Sequence, residues 1–461
     1  MKILLITTLL LAAVTTVSLA DGIEAIVGNA NDTNYRLPNN SVPISYSIRL
    51  IPYLVDNFTF DGESTIELEI LESSSSITLH IVNITIDESS TSVVSNDNVH
   101  YDINNHAYDN TKSFLILNFS TVLPTGFYTL YLKYVGLIMY SDFGGLYRTS
   151  YTKDDGETVW SAVTQFETSV ARRAFPCWDE PALKATFTIS IKHDVNYTAL
   201  SNMPVASQSA IDKTDNKLWT NFERTPIMST YLVAYAVLDN GYISHGDERF
   251  RVWSREDDPR DTNYALTQGE SMLKYLEEYT TIPYTLPKMD EISIPDPSVT
   301  TFEKWGLIIG REEELLYDDS VDRTVTKQTN AQVSANVMAH QWFGNFVTAS
   351  WWKYFWLNEG FGVYFQYYVT DQVEDNWRFM EQFVVRISQG RSFIADSSET
   401  TRPLNQDVST YEEINALYDS ITYGKAASVI HMMSNFLTPQ VFHDGLIRYL
   451  KNNAYKAVTP D

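Results

Sequence analysis

The sequence predicts a multidomain α and β protein: an N-terminal antiparallel β domain, then a mainly helical domain with a small sheet. Three observations predict it. Apolar residues alternate with polar ones up to about residue 240, the period of strands with one buried face. After residue 260 the apolar spacing changes to that of helices. The chain has 461 residues, 44% hydrophobic and 20% charged, which suits more than one core and excludes a disordered or collagen-like chain.

The elements follow in order. Lys2, the apolar run 3–14 and Ser18-Leu19-Ala20 read as a secretory signal peptide over residues 1–20 rather than a buried helix or strand. No later run reaches the roughly 18 apolar residues that a membrane span needs. Ile44, Tyr46, Ile48 and Leu50 alternate with polar residues, and so do Ile66, Leu68 and Ile70. Tyr128, Leu130, Leu132 and Tyr134 repeat the pattern, followed by Phe187, Ile189 and Ile191. The β domain is therefore assigned to residues 21–240, closing with a strand near 231–238. In the second domain, 241–461, Ala265, Gly269, Met272, Leu276 and Tyr279 share a helix face. Helices are expected over 324–344, 360–372 and 426–436, and a short strand near 291–294. No internal repeat or low-complexity tract is present.

Composition limits the function. Lys and Arg total 33 against 58 Asp and Glu, a net charge of -25, so nucleic acid is excluded as a partner and anionic lipid is disfavoured. Six Asn-x-Ser/Thr sequons, at Asn31, Asn39, Asn57, Asn83, Asn118 and Asn196, agree with export and glycosylation. The single cysteine, Cys177, rules out an intramolecular disulfide and is expected to be a buried thiol. There is no phosphate loop, nucleophile elbow or cysteine pair.

The chemistry is expected in Ala335-Asn336-Val337-Met338-Ala339-His340-Gln341-Trp342, followed by Trp356-Leu357-Asn358-Glu359-Gly360. This stretch resembles the zinc signature of the aminopeptidase N-type metallopeptidases, H-E-x-x-H, then 18 residues, then E. The spacing from His340 to Glu359 is kept. Imidazoles at i and i+4 lie one above the other on a helix and can grip one zinc ion. A carboxylate from the next helix completes the set, and the Glu after the first His takes the proton of the zinc-bound water. Here Asn336 stands at the first His and Val337 at the general base. An amide is a poor zinc ligand and valine moves no proton. His340 and Glu359 remain as remnant metal ligands.

The resemblance covers essentially the whole mature chain. Thr164-Gln165-Phe166-Glu167 and Ala171 through Pro181 match the family's domain-junction motif, with Val170 where an Asp is expected. Thr300-Thr301-Phe302-Glu303-Lys304-Trp305-Gly306 lies at the place of G-A-M-E-N-W-G. The resemblance makes Glu303 the residue that binds a substrate's free α-amino group, with Gln165 close to the N-terminal side chain. It makes Tyr423 the stabiliser of the tetrahedral oxyanion. Lys304 brings a second cation to the amine subsite, which weakens ammonium binding unless it pairs elsewhere.

The resemblance further implies a thermolysin-like second domain, zinc as the family's cofactor, weak or absent here, and peptides or proteins with free N-termini as partners. Full-length relatives carry two more domains, so this chain is expected to be a fragment or a truncated product. The expected function is a secreted or cell-surface aminopeptidase N-like protein, catalytically impaired but retaining peptide or protein binding. Two alternatives stand beside it: an active zinc aminopeptidase with a non-standard ligand and base, and a truncated chain without independent function.

Overall fold

Alternating burial starts at Ser41 and runs through two long strands, Ser41–Pro52 and Thr59–Ile70, paired antiparallel. The computed structural model describes residues 35–55, 57–140, 144–296 and 300–460. The signal-peptide reading and the Asn31 sequon lie outside these residues. Tyr46, Ile48 and Leu50 are buried as expected, but Ile44 is 36% exposed. The register shifts between Pro43 and Ser45, so Ile44 is an extra residue opposite Leu68 and Glu67. That bulge resets the alternation, and Pro43 faces inward in its place.

The two strands form the middle of a nine-stranded sheet. Thr59–Ile70 pairs with Gly126–Leu137 on one side, and Ser41–Pro52 pairs parallel to Thr186–Asp194 on the other. A three-stranded sheet (Ser74–His80, Phe114–Leu123, Ile103–Asp109) and a five-stranded sheet built around Thr158–Gln165 and Tyr235–Asp239 complete the β-rich part. Cys177 is a buried free thiol. Asn39, Asn57, Asn83 and Asn196 are exposed, whereas Asn118 is half-buried inside a strand.

A four-stranded sheet in the order Tyr242–Gly246, Phe250–Arg255, Met289–Ile294, Leu307–Arg311 follows. The predicted short strand near 291–294 is one of its two central strands, and all six of its residues are buried. Among the described residues, the helices of eleven residues or more are α1 (Asn263–Thr280), α2 (Thr324–His340), α3 (Trp356–Val373), α4 (Ala426–Phe436) and α5 (Pro439–Asn452). α1 buries Ala265, Gly269, Met272 and Leu276 as the spacing requires. α2 stops at His340, short of the expected 344, because Gly344 turns the chain at φ 130°. α3 starts four residues before the expected position, which places Glu359 in its first turn. Among the described residues no helix is long and apolar enough to cross a membrane.

Buried polar side chains join the two parts. The Asn202 side-chain amide donates to the carbonyls of Leu232 (2.8 Å) and Trp305 (2.7 Å). The Tyr231 hydroxyl donates to the carbonyl of Gly344 at 3.0 Å, and the Lys184 ammonium to Thr348 Oγ1 at 2.8 Å. Gly306, at φ 80°, is the point of closest approach: a Cβ there would lie 2.4 Å from the Asn202 carbonyl oxygen. Only glycine satisfies both conditions.

Candidate active site

The last residue of α2 and the first turn of α3 bring His340 and Glu359 together, because the two helices pack against each other along their length. Glycine makes the close approach possible. A Cβ on Gly362 would lie 2.2 Å from His340 Nε2, so the imidazole occupies the space that a side chain would fill. His340 Nε2 is 3.8 Å from Glu359 Oε2, and Nδ1 is 3.9 Å from Glu303 Oε1. Ligand atoms of Glu303, His340 and Glu359 all lie within 4.8 Å of one another, and all three residues are buried.

Glu303 reaches this point from the loop before the strand Leu307–Arg311. The turn after α2 fixes it there: Asn345 N–H donates to the His340 carbonyl (3.0 Å), and Asn345 Nδ2 donates to the Glu303 carbonyl (3.0 Å). The sequence therefore brings together three of its predicted site residues, Glu303, His340 and Glu359. Tyr423 joins them from a wide helical turn, Ile421–Lys425, just ahead of α4. Its hydroxyl faces the Glu359 carboxylate and favours that group's charged form.

Gln165 ends its strand two residues from the cluster and accepts a hydrogen bond from the Glu167 N–H at 3.2 Å. Asn336 is half-buried one turn before His340. Val337 is 1% exposed and belongs to the apolar core. The residue at the base position is thus a packing residue of the apolar core.

The sequence assigned no role to Glu167, whereas Lys304 was expected beside the amine subsite. The Glu167 side chain is buried, and its carboxylate lies 3.4 Å from the Lys304 ammonium, which is itself 1% exposed. Lys304 thus pairs within the protein, the condition under which it need not oppose a ligand. The signal for Glu167 was an acidic residue directly after Gln165-Phe166, but the pairing spans 137 positions and has no local signature.

Burial dominates the electrostatics. It pushes the His340 imidazole down to about 4, so the ring is neutral at pH 7, the form that binds metals. It pushes Glu167 up to about 7, helped by the charge of Glu303 and opposed by Lys304 and His340. It also raises Glu359 well above the usual carboxylate range, with Glu303 and Glu167 adding to the effect. Burial and the neighbouring carboxylates likewise keep the Tyr423 phenol protonated. Tyr418, Tyr423 and Arg386 line a cavity of about 760 Å³ that runs along α3 beside the cluster.

Comparison with known proteins decides the family. The Peptidase M1 N-terminal domain matches residues 42–232, and the Peptidase family M1 domain matches residues 264–461. The chain belongs to the M1 peptidase family. It is 37% identical over 424 residues to Aminopeptidase M1 of Arabidopsis thaliana, covering 91% of this chain and 47% of that protein. It is 36% identical over 444 residues to Aminopeptidase N of Bos taurus, covering 92% and 46%. It is also 36% identical over 425 residues to the Alanine/arginine aminopeptidase of Saccharomyces cerevisiae, covering 91% and 48%. The chain spans about half the length of these relatives. The β-rich part followed by a helical part agrees with M1 architecture.

The M1 family is zinc-dependent, so the residues present must be tested against zinc. His340 Nε2 is buried without a hydrogen-bond partner, as an imidazole waiting for a cation would be. The rest of the set is less suited. It offers one imidazole and two carboxylates, where catalytic zinc commonly has two or more nitrogen or sulfur donors. An ammonium stands in the same cluster, and like charge disfavours a divalent ion. These residues do not reproduce an M1 zinc set, although Glu303, His340 and Glu359 have the proximity to hold a cation.

Proposed function

We propose that this chain is an exported, catalytically impaired aminopeptidase N-like protein that binds peptides or proteins through their free N-termini. One observation carries the reading: at the general-base position the side chain is Val337, buried in the apolar core. Removing a general base lowers rates by about 10²–10⁴-fold, and the incomplete donor set weakens zinc as well. A binding role is supported by the carboxylate of Glu303, which offers an acceptor to an ammonium, and by the adjacent cavity along α3. Export is supported by the leader-like residues 1–20 and by the four exposed sequons.

The experiment is to repair the site. The protein and its Asn336→His/Val337→Glu variant are compared for bound zinc and for release of neutral amino acids from chromogenic substrates. Gain of both in the variant is expected. Equal activity in the unmodified protein overturns the reading. The convergence of Glu303, His340 and Glu359 favours a second reading, in which these three hold a divalent ion and a neighbouring carboxylate replaces the lost base. Under it the unmodified protein binds zinc and releases amino acids, and Glu303→Gln abolishes both.

A further inference from the structure

Glu303 and Glu359 are buried around the buried imidazole of His340, and the Glu167 side chain beside them is 3% exposed. Buried carboxylates need compensation by cations or hydrogen-bond donors. Within the cluster the ammonium comes from Lys304, 3.4 Å from Glu167 Oε2. The rings of Phe302 and Tyr231 flank that ammonium at 5.2 and 5.9 Å from their centroids, which favours a cation there. His340 Nε2 supplies a second, independent sign of a cation site. It is buried without a hydrogen-bond partner and lies 3.8 Å from Glu359 Oε2.

We propose that Lys304 is the resident counter-cation of this cluster, filling the electrostatic role that a divalent ion would otherwise take. The inference rests on the impaired-site reading above and gives it a cause beyond the lost His and Glu. A lysine fixed beside the donors stabilises the metal-free fold and raises the barrier to loading an ion. Removing the ammonium takes away the like charge that opposes a divalent ion at Glu303, His340 and Glu359.

Thermal unfolding and zinc titration calorimetry test this on the whole chain, with zinc sulfate against EDTA, for the wild type, Lys304→Gln and Lys304→Arg. The wild type and Lys304→Arg are expected to melt at the same temperature in both buffers. Lys304→Gln is expected to melt several degrees lower in EDTA, to recover in zinc, and to bind zinc on the order of tenfold or more tighter than the wild type. A wild type strongly stabilised by zinc overturns the proposal, and that measurement needs no variant. Lys304→Gln that binds zinc no tighter, or fails to fold in zinc as well as in EDTA, also overturns it. Activity is a separate readout. Turnover by a wild type whose melting ignores zinc sinks the function reading alone, and tight zinc binding without turnover sinks this proposal alone.

Discussion

Val337 lies three residues before His340 on α2 and fills core volume, while the polar work of the site falls to residues that meet only in space. The four carboxyl and imidazole groups of the cluster show why a single substitution by lysine at position 304 matters: it sits among them, paired to Glu167. A buried carboxyl outside the cluster gives a clean test of how burial acts on single residues. Glu291, within the strand Met289–Ile294, has an unpartnered Oε1, and burial pushes it up to about 8. The folded state therefore keeps a proton that the unfolded chain releases near 4.5. Its stabilising contribution is complete below that value and is lost as pH rises through about 8, by up to about 1.4 kcal/mol per pH unit. Glu291→Gln is expected to melt like the wild type at pH 4 and higher than it at pH 8.5, as measured by calorimetry. His340 and Glu359 were legible in the sequence through their spacing, and Glu303 and Tyr423 through the family resemblance of their motifs. The Glu167–Lys304 pair was not, because only the folded chain closes 137 positions to 3.4 Å.

At the scale of elements, α2 and α3 carry the site through one tight contact. Gly362→Ala places a methyl group 2.2 Å from His340 Nε2, so the imidazole or the helix must move. Overpacking of this kind costs about 1–3 kcal/mol. The expected outcome is a melting point several degrees lower, together with displaced His340 ring signals in NMR spectra. Unchanged values for both would show that the ring has room elsewhere. Periodicity fixed most element positions because a buried face leaves its spacing in the sequence, as in α1 and in Tyr46, Ile48 and Leu50. It failed where geometry departs from regularity. The bulge at Ile44 turns an apolar residue outward, and Gly344 ends α2 earlier than its apolar run suggests. The four-stranded sheet drawn from residues 242–311 was visible only in part, since its parallel strands Met289–Ile294 and Leu307–Arg311 are buried almost throughout and do not alternate.

For the whole molecule, the β-rich and helical parts share buried hydrogen bonds, so they are expected to unfold together. Asn202 is the most direct probe: it is fully buried, and its amide bridges Leu232 and Trp305. Asn202→Ala strands both carbonyls and is expected to cost about 2–3 kcal/mol. A single, shifted unfolding transition by both far-UV circular dichroism and tryptophan fluorescence would show that the parts are coupled. Two transitions, of which one is unshifted, would show that they are not. The family and the order of its domains follow from features spread over the whole chain, whereas the proposed loss of activity turns on two adjacent positions of α2. The most direct test is therefore single-turnover hydrolysis of a neutral aminoacyl chromogenic substrate, with protein in excess and zinc present. The account predicts a rate for the unmodified protein about 10²-fold or more below that of the Asn336→His/Val337→Glu variant. Equal single-turnover rates would contradict it.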